Sequence, residues 1–165
     1  MNQLKILNKN EKQEIINKLN KQFGISDIPG IIVKRGEEKL FLFSGNYNSK
    51  QIKNLERIVP IEGIGVYFAK IIKDEIRLSI EGTQILKNQI NKNIFELNKE
   101  QTNQWMKGQE LNIKTGKKGF LVMKYKNDFL GCGKASIEKI TNFIPKSRRL
   151  KISESRKITE IKEIF

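Results

Sequence analysis

The sequence predicts an α+β protein of two small modules, an N-terminal α/β domain over residues 1–90 and a small mixed β-barrel over residues 91–165. Three observations lead there. The first half reads as one amphipathic helix followed by two hairpins. The second half reads as one capped helix followed by three short strands with turn residues between them, the spacing of a small barrel. Between them, Lys87 to Asn93 is polar except for Ile90, which marks a linker with the boundary near Asn91. A chain of 165 residues accommodates two modules of about 80 residues each.

Taken in order, Asn10 or Asn8 can cap a first helix that places Ile15, Ile16, Leu19 and Phe23 on one face, and Gly24 stops it. Pro29 and Gly30 mark a turn. Ile31 to Lys34 and Lys39 to Phe43 then read as strands joined across Arg35, Gly36 and Glu37. Ser49 is placed to cap a short helix carrying Ile52 and Leu55, ended by Pro60. Period-two alternation of Ile64, Val66 and Phe68, a Lys73-Asp74 turn, then Ile76, Leu78 and Ile80 predict a second hairpin, with Gly63 and Gly65 at the strand entry. Glu81 to Leu86 can form a helical turn.

In the second module, Ile94 to Leu97 reads as a strand. Asn98 with Gln101 three residues on is a capping-box pattern ahead of a helix that includes Trp105 and ends at Gly108. Gly119 to Tyr125, an Asn127-Asp128 turn, Phe129 to Ala135 and Lys139 to Phe143 supply the barrel strands, and Lys157 to Phe165 fits either a last strand or a short helix.

Hydrophobic residues at 38% and charged residues at 30% predict a folded chain, and a formal charge of +14 with pI near 9.9 predicts a polyanionic partner. An A·T-rich coding bias accounts for scattered lysines without any ligand. It accounts less well for the arginines, because Arg148, Arg149 and Arg156 fall within the last eighteen residues. Cys132 is the sole cysteine and histidine is absent, so neither a disulfide framework nor a Cys/His zinc site can form within the chain. The N-terminal MNQLKILNKNEK lacks the apolar core of a signal peptide, and no apolar run approaches the ~18 residues of a membrane span. A soluble cytoplasmic protein is expected.

Catalysis is not expected. Without histidine the commonest general base is missing, no phosphate-cradling G-x-x-x-x-G-K-[ST] occurs, and Gly63-Ile64-Gly65 lacks the rest of a dinucleotide fingerprint. The acids Glu37, Glu38, Asp74 and Glu75 sit at predicted turns as solvated charge, so no cofactor and no metal site is assigned. Two basic stretches free of acids remain. One, Asn112 to Asn127, carries Lys114, Lys117, Lys118, Lys124 and Lys126, which can track a phosphate backbone. The other is Pro145-Lys146-Ser147-Arg148-Arg149-Leu150-Lys151, whose guanidinium groups offer paired donors to phosphate and flat faces to bases.

Gly131-Cys132-Gly133-Lys134, followed by Asn142-Phe143-Ile144-Pro145-Lys146-Ser147-Arg148-Arg149-Leu150, resembles the PUA domain. Over nearly the whole length, the chain is similar to archaeal proteins that join a PUA domain to an N-terminal α/β "pre-PUA" domain. These are related to ribosome-biogenesis factors and to the RNA-binding region of Sun/Fmu-type RNA cytosine methyltransferases. Supporting pieces are GIGVYFAK at 63–70, RLSIEGTQ at 77–84, NKNIFEL at 91–97 and WMKGQEL at 105–111. The resemblance implies a pseudobarrel that binds structured RNA and does no chemistry of its own. It places Lys146, Arg148, Arg149 and Lys151 in the family's basic segment and Lys134 after its Gly-Cys-Gly turn, with Cys132 a buried strand residue and not a nucleophile.

The expected function is therefore an RNA-binding accessory protein for rRNA or tRNA, acting in ribosome biogenesis or RNA modification. Its expected RNA-binding residues are Lys124, Lys134, Lys146, Arg148, Arg149 and Lys151. Structured RNA and an RNA-modifying enzyme or ribosome-assembly factor are the expected partners, with no membrane. The alternative is a protein-interaction adaptor for such an enzyme, whose charge only keeps it soluble. A carboxylate and Mg²⁺ nuclease is a third class, for which no convergent acids can be picked out.

Overall fold

A computed structural model of the chain describes residues 4–44, 48, 50–52, 54 and 65–151. Two compact units, Met1–Asn93 and Ile94–Phe165, divide it. Both helix and strand occur in each, so the α+β class holds.

Unit 1 runs β1 (Leu4–Ile6), α1 (Lys9–Phe23), β2 (Ile31–Arg35), β3 (Lys39–Phe43), β4 (Val66–Ile72), β5 (Glu75–Leu78) and α2 (Ile80–Ile85). Its five strands form one sheet in chain order, every pair antiparallel. Asn8 is the cap of α1: its side chain accepts from the Glu11 amide while the Glu11 carboxylate accepts from the Asn8 amide, both at 2.9 Å. Gly24 ends the helix at φ +82°, a left-handed conformation that suits glycine. The predicted apolar face, Ile15, Ile16, Leu19 and Phe23, is buried, joined in the core by Ile25, Ile28, Ile32, Leu40, Phe68, Ile76 and Leu78. Each such side chain contributes roughly 1.5–3 kcal/mol when fully withdrawn from water.

Three expectations are corrected in this unit. Strict alternation fails in β4: the successive residues Phe68 and Ala69 are both fully buried, while Val66, opposite Leu42 at the strand's start, is 42% exposed. The β3–β4 register slips between Leu40 and Phe41, leaving Phe68 as the extra residue of a β-bulge, and a bulge turns two successive side chains inward. Ile80 does not continue β5. Ser79 caps α2 instead, accepting from the Gly82 amide at 3.0 Å and donating to the Tyr67 carbonyl at 2.9 Å. The Lys87 to Asn93 segment is no loose linker. It forms a 3-10 turn at Lys87–Gln89 and then supplies donors to the end of α1: the Asn91 amide to Phe23 O at 2.9 Å, Lys92 Nζ to Asn20 O at 3.3 Å, and Asn93 Nδ2 to Gln22 O. The last carbonyls of a helix have no partner within it, and polar residues are what that position demands.

Near residue 50, Asn48 and Gln51 exchange side-chain-to-amide hydrogen bonds at 2.9 Å, which makes Asn48 the cap, and Ile52 is buried. Ser49, Leu55, Pro60, Gly63, Ile64, Arg156 and the 157–165 tail lie outside the described residues.

The Glu11 carboxylate also accepts from Lys5 Nζ. This bond first, and the Asn8 amide second, hold its pKa below the ordinary carboxylate value. A group whose pKa is depressed on folding adds stability above its unfolded pKa and loses it as pH falls through the folded one. Glu11→Gln should therefore flatten the acid-side fall in unfolding free energy, measured by urea denaturation across a pH series. Parallel profiles for the two proteins would contradict this.

Unit 2 contains β6 (Ile94–Glu96), α3 (Lys99–Met106), β7 (Gly119–Tyr125), β8 (Asp128–Ala135) and β9 (Ile140–Asn142), with a 3-10 turn at Lys146–Arg148. The sheet order is β6-β7-β8-β9, with β6 parallel to β7 and the other pairs antiparallel, so the sheet is mixed as expected. The Asn98–Gln101 capping box forms as predicted, at 2.8 and 2.9 Å. The β7–β8 turn falls at Lys126-Asn127, one residue earlier than expected, with Lys126 at φ +53°.

Candidate nucleic-acid interface

Trp105, on α3, is fully buried and donates from Nε1 to Leu130 O at 3.1 Å. It reaches β8 because Gly133 presents no side chain: a Cβ there would lie 2.7 Å from Trp105 Cη2. The helix so fixed leaves carbonyls at its C-terminal end, and the chain after β9 closes over them. Asn142 Nδ2 donates to Trp105 O at 2.8 Å and to Gln109 O at 3.0 Å, while its Oδ1 accepts the Ile144 amide at 2.8 Å. The Leu150 amide donates to Met106 O at 2.9 Å. Residues 142–150 are thus pinned at both ends on α3.

This pinned segment and the residue that follows it hold four of the six predicted site residues together. Lys146 and Arg148 on the segment and Lys151 just after it are exposed. Arg149 is placed differently. It is half-buried, its Nε donates to Ile144 O at 2.9 Å, and it lies over Gly108, where a Cβ would come 2.7 Å from Arg149 Cζ. With φ at +83°, Gly108 also ends α3. The Arg149 cation therefore sits where the helix end concentrates negative partial charge, and it staples the segment in place.

Lys134 is exposed on β8 directly opposite Phe120, with Nζ 5.4 Å from the ring centroid. Phe143, which leads into the pinned segment, packs on the same Phe120 ring at 6.2 Å. Lys134 and the root of the basic segment therefore share one aromatic residue. Lys124 stands apart. It is four residues along β7 from Phe120, about 13 Å at ~3.3 Å per residue. Its Nζ lies 5.6 Å from the Phe129 centroid and 3.8 Å from a Glu96 carboxylate oxygen, so part of its charge is already balanced. Lys114, Lys117 and Lys118 are exposed in the loop before β7, and Lys126 lies over Tyr125 at 5.4 Å.

Sequence reasoning missed Asn142 and Gly108 as the residues that shape the segment, and Phe120 as the platform under Lys134. Gly108 was legible only as a helix stop. The lysine-over-aromatic pairs depend on hairpin register, which the sequence alone does not set. Cys132 is buried in β8, as the resemblance implied. Among the described residues no group of three or more Cys, Asp or Glu side chains is placed to hold a metal ion, and no helix is long and apolar enough to cross a membrane.

No curated protein matches the chain significantly. Residues 92–150, spanning β6 to the pinned basic segment, match the family model described as the methyltransferase RsmF PUA domain. PUA domains bind RNA, and unit 2 carries one related to those of the RsmF-type (Sun/Fmu) RNA methyltransferases.

Proposed function

We propose that the protein is an RNA-binding accessory factor in the cytoplasm. It holds folded rRNA or tRNA for ribosome assembly or for an RNA-modifying enzyme, and it performs no catalysis itself. Unit 1 serves as a pre-PUA domain beside the PUA module. The observation that carries this reading is the basic segment Lys146–Lys151, pinned at both ends on α3 within a PUA domain and holding Lys146, Arg148 and Lys151 exposed. Cations on a fixed backbone suit phosphate contacts, which position RNA more than they read its bases. Lys134 extends this surface, Lys124 makes a weaker contribution, and Arg149 acts by holding the segment.

The test is crosslinking and sequencing of RNA bound to the protein in cell extract, beside a variant with Lys146, Arg148 and Lys151 all changed to alanine. Enrichment of defined rRNA or tRNA sites that disappear in the variant is expected. No enrichment with either protein would replace this reading by the adaptor, whose partner would survive nuclease and salt.

A further inference from the structure

The loop before β7 and the turn between β8 and β9 share one end of the unit 2 sheet. Ala135 and Ile140 are the last register pair before the turn. Gly119 lies opposite Ala135 on one side, and Leu111 is bridged to Ile140 on the other. At ~4.8 Å per strand, the row Gly119-Ala135-Ile140-Leu111 is about 14 Å wide. Residues 112–118 join its two ends on the side of the turn, so they arch across that end of the sheet. This loop carries Lys114, Lys117 and Lys118, all exposed, and no acid. Thr115 Oγ1 accepts the Lys117 amide at 3.1 Å, which holds the loop's apex. Gly116 stands there at φ +70°, and a Cβ added to it would meet nothing within 4 Å, so the apex backbone faces open space.

The turn is Ser136-Ile137-Glu138-Lys139, and it is tightly held. The Ser136 amide donates to Lys139 O at 2.8 Å, Lys139 Nζ donates to a Glu110 carboxylate oxygen at 2.8 Å, and Leu111 and Ile140 exchange amide-to-carbonyl bonds at 3.1 and 2.8 Å. Its apex is an isoleucine, where turns favour Gly, Asn, Asp or Ser. Ile137 is 72% exposed, against 42% for Val66 and Ile85, the next large hydrophobics among the described residues. A local rule broken at a well-held position is the place to look for function. One aliphatic tip is too small to hold a membrane, and lysine is depleted from protein–protein interfaces. RNA suits both features, since its phosphates take the lysines and its bases take the tip. The acids leave the balance positive: Glu110 is paired with Lys139, and Glu138 stands against three lysines. An intact duplex hides its base faces, whereas a bulge opens one, and aliphatic side chains serve as wedges at such unstacked steps. Lys134, next to Ala135 on β8, puts a cation between this tip and the basic segment that follows β9, so one RNA can reach both.

We propose that this end of unit 2 grips an RNA helix at a bulged base, with Lys114, Lys117 and Lys118 on the flanking phosphates and Ile137 against the opened base step. The proposal rests on the RNA-binding reading above and adds the RNA feature that is recognised. The test uses the full chain and two probes, a short RNA duplex with a single bulged 2-aminopurine and the same duplex fully paired. Ile137→Ser should weaken binding of the bulged duplex about 5- to 40-fold, the gain from burying the exposed part of that side chain, and leave the paired one unchanged. Lys114→Gln/Lys117→Gln/Lys118→Gln should lower the salt slope for the bulged duplex by about 2.7, from three phosphate contacts at ~0.9 each. The unaltered protein should also change the 2-aminopurine fluorescence on binding, and an unchanged signal would overturn the proposal whatever the variants do. It is equally overturned if the serine variant binds the bulged duplex as tightly as the unaltered protein or loses both duplexes alike, or if the glutamine variant keeps its slope. Lys146, Arg148 and Lys151 stay intact in both variants. Binding that is indifferent to the tip variants but lost in the Lys146/Arg148/Lys151 alanine protein would therefore sink this site alone, whereas no binding of either RNA by the unaltered protein would remove the RNA-binding reading with it.

Discussion

Changing Lys146, Arg148 and Lys151 together to alanine is expected to make RNA binding weaker and less sensitive to salt. All three side chains are exposed. Each phosphate contact contributes about 0.9 to the slope of log affinity against log salt for a duplex, so three removed contacts lower it by about 2.7. Between 50 and 200 mM salt that difference compounds to about 40-fold: the variant's defect is roughly 40 times larger at the lower concentration. Titration of a structured rRNA or tRNA fragment at several salt concentrations reads it directly. An unchanged slope would remove these residues from the interface. Arg149→Ala is the informative contrast, since Arg149 Nε is bonded to Ile144 O and the side chain covers Gly108. It should lower the stability of unit 2 by about 1–3 kcal/mol, the range for a buried hydrogen-bonded group left unpaired. A double Arg148/Arg149 alanine variant would mix the two effects.

How much of this was legible in the sequence follows from which interactions are local. The Asn98–Gln101 capping box is written in four consecutive residues and its helix begins where they place it, while for α1 the sequence offers Asn10 or Asn8 and the exchange with Glu11 makes Asn8 the cap. The buried face of α1 and the strands β2, β3, β5, β7 and β8 follow from apolar spacing in the same way. What failed required a partner distant in the chain. The bulge at Phe68 is set by pairing with β3, and the polar character of Lys87 to Asn93 reflects carbonyls of α1 some 70 residues earlier, at Asn20, Gln22 and Phe23. From the sequence a run of polar residues means solvent. In the fold these residues close a helix end.

The candidate site divides along the same line. The cluster Lys146 to Lys151 was visible as composition, and the resemblance to PUA domains supplied its context. That Arg149 differs in role from its neighbour Arg148 was not visible, because the difference lies in the approach of Gly108 from α3.

Trp105→Ala is expected to carry the largest stability loss in unit 2, about 3–5 kcal/mol, the range for removing a large buried aromatic side chain. Trp105 is fully buried, fills the space left by Gly133, and is the donor to Leu130 O. Little can move in to replace it, because the neighbouring position has no side chain with which to do so. Trp105→Phe separates the components: it keeps most of the ring volume and drops only the indole donor, so a loss nearer 1–2 kcal/mol is expected from the unpaired carbonyl and the smaller ring. Since Trp105 is the only tryptophan, urea melts should be followed by far-ultraviolet circular dichroism and not by its fluorescence. A loss below about 1 kcal/mol for the alanine variant would mean that α3 is held by its capping and by Asn142 more than by packing. The alanine variant should also lose RNA binding, although Trp105 touches no RNA in the proposed mode. The carbonyls of Trp105, Met106 and Gln109 pin residues 142–150, and a displaced α3 releases the segment that presents Lys146, Arg148 and Lys151. Binding that persisted at low salt in a Trp105→Ala protein with melted near-ultraviolet dichroism would show instead that the basic segment needs no fixed geometry, and that its charge alone holds RNA.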